Sequence, residues 1–329
     1  MNYVVIQTGI RTYGCYKAFA KKQRMKLQQK EGKRMKKIDV HIHSSMWNGA
    51  KLHSGCILVQ PEEIKESYTE LGIDKGFLLP LISPEAHYCI QTNEEMEYLA
   101  NKYSDTFYWF CNIDPRMGQN SPATDFSELL LDYKSRGAIG VGELTANIYA
   151  DAPLMDNLFY HCAQCDMPVT IHFACGKGEE YGIIDDLGLP RLEKMLKKYP
   201  NLTIMGHSQC FWNEIGDNVT EENRGDYVTG KVNAGRVVEL MRHYPNLYCD
   251  LSAGSGYNAM SRDSDFAYRF IEEFSDRLMF GTDICRAHQE TYLSDWLDAS
   301  LEKGCISEEN YRKICRENAI RLFKLKDEI

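Results

Sequence analysis

The sequence predicts a single α/β domain, a (β/α)8 or TIM barrel. Eight short apolar runs rich in β-branched and aromatic residues alternate with amphipathic helical patterns, and their starts lie 30 to 45 residues apart, the size of one strand-and-helix unit. No break in composition divides the chain after residue 35, so no second domain is expected. A doubly wound open sheet would show the same alternation and is the structural alternative.

Taken in order, the predicted strands are Ile38 to His43, Lys75 to Leu81, Phe107 to Ile113, Ala138 to Leu144, Pro168 to Phe173, Leu202 to His207, Leu247 to Leu251 and Leu278 to Asp283. Helical periodicity fills the gaps over Pro61 to Leu71, Asn93 to Tyr103, Asp125 to Arg136, Leu154 to Asp166, Pro190 to Tyr199, Ala234 to Tyr244 and Asp263 to Phe274. Pro61 and Pro190 open their helices, where a missing amide costs nothing, and Pro200 and Pro245 follow helix ends. Two further helices, Glu290 to Lys303 and Glu308 to Phe323, finish the chain. The segments Ser44 to Gln60 and Ser208 to Asn233 exceed the usual connection length and follow strand C-termini, which makes them candidates for enclosing a substrate.

Charge divides the chain unevenly. The net charge is −9, yet residues 1 to 37 hold eleven Lys or Arg against the single acid Glu31, leaving 27 basic and 46 acidic residues in the body. An acidic body argues against duplex nucleic acid as the main ligand. Met35-Lys36-Lys37 stands directly before the first strand like a natural start, so residues 1 to 34 read as a basic, poorly ordered extension and residues 35 to 329 as the catalytic domain. A nucleic-acid role for the extension would predict strongly salt-dependent binding lost in a chain starting at Met35. No run of 18 or more apolar residues is present, so no membrane span is expected. The twelve cysteines are scattered through predicted strands and helices rather than packed into a small frame, which points to a reducing, cytoplasmic setting. Cys162 and Cys165 lie inside a helical pattern and read as packing thiols, not a redox pair.

The chemistry sits at strand ends. Asp39-Val40-His41-Ile42-His43 places two imidazoles on one side of the first strand, and Glu143, His172, His207 and Asp283 end the fourth, fifth, sixth and eighth. Barrel strands converge at one mouth, so these six residues can share a centre although they span 243 positions. Imidazoles and carboxylates without thiolates suit Zn²⁺, with Mn²⁺, Fe²⁺ or Co²⁺ as alternatives. Such an ion would generate hydroxide from water near neutral pH, with Asp283 placed to take the proton and pass it to a leaving group. Arg286, three residues beyond Asp283, could hold a substrate carboxylate; Trp47, Trp212 and Tyr257 are further substrate-binding candidates, with His53, Glu214, Arg262 and Arg116 weaker ones.

These residues also carry a family resemblance. The Asp-Val-His-Ile-His stretch, the isolated His172, His207 within Gly-His-Ser, the Phe-Gly-Thr-Asp283 ending and the closing Glu317-Asn318-Ala319-Ile320-Arg321-Leu322-Phe323 together resemble the amidohydrolase superfamily over residues 37 to 325. The branch they look most like is the amidohydrolase-related group that includes aminocarboxymuconate semialdehyde decarboxylase. The resemblance implies a distorted barrel with His41, His43, His172 and Asp283 as ligands of one metal. It makes His207 either a catalytic acid-base or a ligand of a second ion. Glu143 stands where other members carry a bridging lysine, so a carboxylated lysine is ruled out there; the resemblance leaves Glu143 as a ligand that bridges two ions, so that the site holds one or two, or as a partner behind the ligands or a substrate contact.

The expected activity is hydrolysis of a small-molecule amide, ester or lactone. The alternative is non-oxidative decarboxylation of a small unsaturated or aromatic acid, with His207 handling the proton and Arg286 the carboxylate. A binding barrel that lost its chemistry is the third option, and the complete ligand set speaks against it. The expected partner is a small molecule, without nucleic acid or membrane; self-association is left open, with a homodimer the assembly considered.

Overall fold

Every long-range strand pairing in the computed structural model, which describes residues 35–47, 49, 57–86, 90–178 and 181–326, is parallel. The strands are β1 (Lys37–Ile42), β2 (Ile73–Leu78), β3 (Phe107–Cys111), β4 (Ala138–Leu144), β5 (Val169–Ala174), β6 (Ile183–Ile184), β7 (Ile204–His207), β8 (Leu247–Asp250) and β9 (Leu278–Met279). They run in the order β1-β2-β3-β4-β5-β7-β8-β9, with the two-residue β6 paired only to β5. The chain past β9 returns to β1: Val40 donates to the Phe280 carbonyl, Asp283 to that of His41 and His43 to that of Ile284 at 3.1, 2.8 and 3.0 Å. Those bonds close the sheet, so the fold is the (β/α)8 barrel and not the open alternative. The basic extension at residues 1 to 34 lies outside the described residues, as do His53 and the rest of 50–56 in the loop after β1.

Local chemistry explains the element ends. The helix Pro61–Leu71 starts with proline at its first position and a capping box between Gln60 and Glu63, and stops at Gly72 in the left-handed region. Thr92, Asp263 and Ser307 each cap a helix by accepting a backbone amide. One buried cluster takes Ile38 and Val40 from β1, Phe77 from β2, Phe110 from β3, Met205 from β7 and Met279 from β9, and the last helix Asn318–Phe323 packs against it through Phe323, whose ring is 5.0 Å from Phe77 and 5.4 Å from Phe110.

Three features depart from the sequence reading. The predicted helix Glu308 to Phe323 is interrupted by five residues of π-helix, Lys313–Glu317. The loop after β7 is not structureless: Gln209–Trp212 is helical, continues into a 3₁₀ turn, and has Phe211 and Trp212 buried. A helix, Ala253–Ser261, follows β8 where only loop was expected, because its small residues carry little helical periodicity. The cysteine reading also changes: Cys162 and Cys165 are buried free thiols as expected, but Cys175 and Cys210 form a disulfide. Among the described residues no helix is long and apolar enough to cross a membrane.

Candidate metal centre

His41 and His43 are both buried, on the same side of β1. His43 Nδ1 lies 2.7 Å from the Leu79 carbonyl, which can only accept, so that nitrogen carries the proton. His41 Nδ1 lies 2.6 Å from Asp250 Oδ2 at the end of β8, which favours the same tautomer. Both Nε2 lone pairs then face each other at 3.0 Å. Around them stand more acceptors. Glu143 Oε2 is 3.3 Å from His43 Nε2 and 3.7 Å from His41 Nε2, and Asp283 Oδ1 is 3.5 and 3.8 Å from the same atoms. Four electron-rich atoms facing one point need a cation or an added proton between them, and a divalent ion satisfies all four at once.

Glu143 reaches this point from the end of β4 through Gly142, whose φ of +139° and whose missing Cβ, which would lie 2.7 Å from the Thr170 carbonyl, require glycine. Its other oxygen looks the opposite way. Oε1 is 2.7 Å from His172 Nδ1 and 3.7 Å from His207 Nε2. His207 Nδ1 is in turn 3.0 Å from Ser252 Oγ and 3.5 Å from Asp250 Oδ2. The carboxylate of Glu143 therefore spans two histidine pairs, and the donor atoms of His41, His43 and Glu143, and of Glu143, His172 and His207, each lie within 4.8 Å of one another.

The electrostatics follow from burial and charge. Burial alone would depress the His41 imidazole, but the Asp250 and Glu143 carboxylates outweigh it and hold it well above the usual histidine range. Burial would raise Glu143, but His172 and His41 hold its carboxyl well below the usual range. His207 is pushed down to about 4, chiefly by burial and then by the neighbouring His41 and His172, with Asp250 opposing. Just beneath, Asp39 is raised to about 7 by burial, although Thr282, Tyr68 and the His41 amide all donate to it.

The structure thus brings together His41, His43, Glu143, His172, His207 and Asp283. The proposed substrate contacts scatter. Trp212 is buried with its indole N–H on the Asp250 carbonyl at 2.9 Å, so it packs behind the histidines rather than lining a pocket. Glu214 is buried against Arg224 and the Gly188 amide, and Arg116 is held by Asp114 and Glu85. Arg262 is partly buried beside Asn213 and Val228. Tyr257 packs against Tyr292 with ring centroids 5.5 Å apart and tilted by 38°, while Trp47 and Arg286 are exposed on loops that follow β1 and Asp283. Asp250 and Tyr181 were missed. Asp250 ends a strand, in Cys249-Asp250-Leu251-Ser252, and the strand-end argument used for the other ligands could have found it. Tyr181 carried no signal, because it precedes a strand of two residues.

Comparison with known proteins follows the same line. The family model described as Amidohydrolase matches residues 130–325. Curated proteins return no match. Among solved structures, the chain is similar to a TIM-barrel protein of Bordetella bronchiseptica (16% identity over 88% of this chain and 99% of that one, TM-score 0.61). It is also similar to a 2,6-dihydroxybenzoate decarboxylase from Rhizobium (16%, 89% and 100%, TM-score 0.54) and to an amidohydrolase from Burkholderia multivorans with bound zinc (14%, 88% and 100%, TM-score 0.58). At these identities the likeness is one of fold.

Proposed function

Because this chain belongs to the amidohydrolase family, we propose that it is a metal-dependent hydrolase of a small-molecule amide, ester or lactone, with zinc as its metal. The observation that carries this reading is the divided Glu143 carboxylate, one oxygen toward His41 and His43 and the other toward His172 and His207. His41, His43, Asp283 and Glu143 would hold one ion, and Glu143, His172 and His207 offer a second position, the arrangement suited to clamping both the attacking and the leaving oxygen. A bound zinc ion supplies Lewis-acid polarisation of the acyl oxygen and hydroxide near neutral pH. Asp283, the most open of these groups, takes the proton of the attacking water and returns it to the leaving group. Asp250 holds the His41 ring by its far nitrogen, and Ser252 does the same for His207. Arg286, exposed on the loop after Asp283, would bind a substrate carboxylate.

Decarboxylation is the second reading. It is favoured by His207, whose Nδ1 is held by Ser252 while Nε2 faces Glu143, as a proton carrier needs, and by similarity to a 2,6-dihydroxybenzoate decarboxylase. The zinc-loaded enzyme should be assayed on a panel of amides, esters and lactones beside aromatic and muconate-type acids monitored for carbon dioxide. Turnover confined to the acids would overturn hydrolysis in favour of the second reading.

A further inference from the structure

The described residues on either side of 179–180, between β5 and β6, are held at several points. Cys175 is disulfide-bonded to Cys210, which follows β7. The buried Asn147 side chain accepts the Gly178 amide at 2.7 Å and donates to the carbonyls of Gly176 and Gly182 at 3.1 and 3.4 Å. The Gly182 amide donates to the Thr145 carbonyl, and that of Ile184 to the Ile148 carbonyl, both at 2.9 Å. Gly182 has φ +120°, and a Cβ on it would come 2.8 Å from the His172 carbonyl and 2.9 Å from its ring. Residue 182 is pressed against His172, so its neighbour is carried over the metal centre.

That neighbour is Tyr181. Its ring centroid is 4.5 Å from that of His172, tilted by 43°. The side chain is 38% exposed, within electrostatic reach of Glu143, Asp283 and Tyr227. Among the described residues its hydroxyl makes no hydrogen bond. A phenol standing beside a buried polar cluster, next to residues held by a disulfide and by the Asn147 side chain and with no hydroxyl partner among the described residues, has the properties of a preorganised ligand contact: part of its ordering cost is met before anything binds. Packing alone would not need the hydroxyl, and a surface tyrosine would not need the tethers.

We propose that Tyr181 is a specificity-determining substrate contact, its ring forming the His172-side wall against which a planar substituent next to the reacting acyl group stacks, and its hydroxyl donating to a substrate oxygen. The inference deepens the metal-dependent reading and rests on it. It predicts a preference for acyl compounds whose carbonyl carries a flat, unsaturated group over those that carry a methyl group.

Two zinc-binding probes of different shape test it: benzohydroxamate, which has a ring, and acetohydroxamate, which has none, titrated calorimetrically into the zinc-loaded full chain. The wild type should bind the aryl probe about tenfold more tightly than the methyl probe, the range of an aromatic contact. Tyr181→Leu should abolish that preference, and Tyr181→Phe should keep it while weakening both probes by about fivefold, the range of one hydrogen bond. Zinc content, measured on each variant, should stay at the wild-type value. A merely structural tyrosine would weaken both probes alike in Tyr181→Leu and leave their ratio unchanged, and that result overturns the proposal. A wild type that takes up zinc but shows no aryl preference overturns it while sparing the metal reading; a wild type that takes up no zinc overturns both.

Discussion

Asp250→Asn tests how the centre is built, because it changes one buried group that never faces the proposed ion position directly. In the wild type, Asp250 Oδ2 accepts a hydrogen bond from His41 Nδ1–H at 2.6 Å, which leaves the Nε2 lone pair toward Glu143, His43 and Asp283. The opposing charges hold the Asp250 carboxyl below its usual range despite complete burial. An asparagine keeps the volume and one acceptor, but it removes the charge that makes His41 a better ligand and adds N–H donors beside His207 Nδ1, 3.5 Å away. Loss of such an outer partner costs about 10- to 100-fold in metal affinity, or about 1.4 to 2.8 kcal/mol. Competition of the variant with a chromogenic chelator for zinc, with circular dichroism to check that it is folded, gives the number. A folded Asp250→Asn protein with wild-type zinc affinity would refute the argument that Asp250 sets the tautomer of His41.

Three other outcomes follow from the geometry. Glu143→Gln should lower zinc stoichiometry, measured by elemental analysis, because one amide cannot serve both histidine pairs as a charged bridge. Cys175→Ser should lower stability under non-reducing conditions by up to about 4 kcal/mol in the chain-entropy model for a 35-residue loop, and denaturation of the wild type with reductant should approach the same value. For Asp39, the folded carboxyl titrates at about 7 against 3.8 when unfolded, so the folded state binds the extra proton between those values and the Asp39 contribution to stability falls as pH rises from about 4 to about 7. The stability difference between wild type and Asp39→Asn should therefore vary across that window by at most ~4 kcal/mol and flatten above it; a difference independent of pH would show that Asp39 is ionised throughout.

The alternation of apolar runs with helical periodicity determined a layered α/β fold, since residues of period two and period 3.6 can bury their faces only in such layers, and the return of the chain past β9 to β1 closed it into a barrel. It also located the chemistry, because polar residues at the ends of apolar strands have few places to go except the mouth, and His41, His43, Glu143, His172 and His207 do meet there, with Asp283 beside His41 and His43. Distances of a few ångströms between residues 100 positions apart are not encoded in any local period. Only the tertiary structure divided the Glu143 carboxylate between two histidine pairs, put Asp250 behind His41, buried Trp212 instead of lining a pocket with it, and paired Cys175 with Cys210. Tyr181 is the extreme case. Its position over His172 depends on a glycine at φ +120° and on the Asn147 side chain, contacts made by residues that no helical or strand pattern singles out.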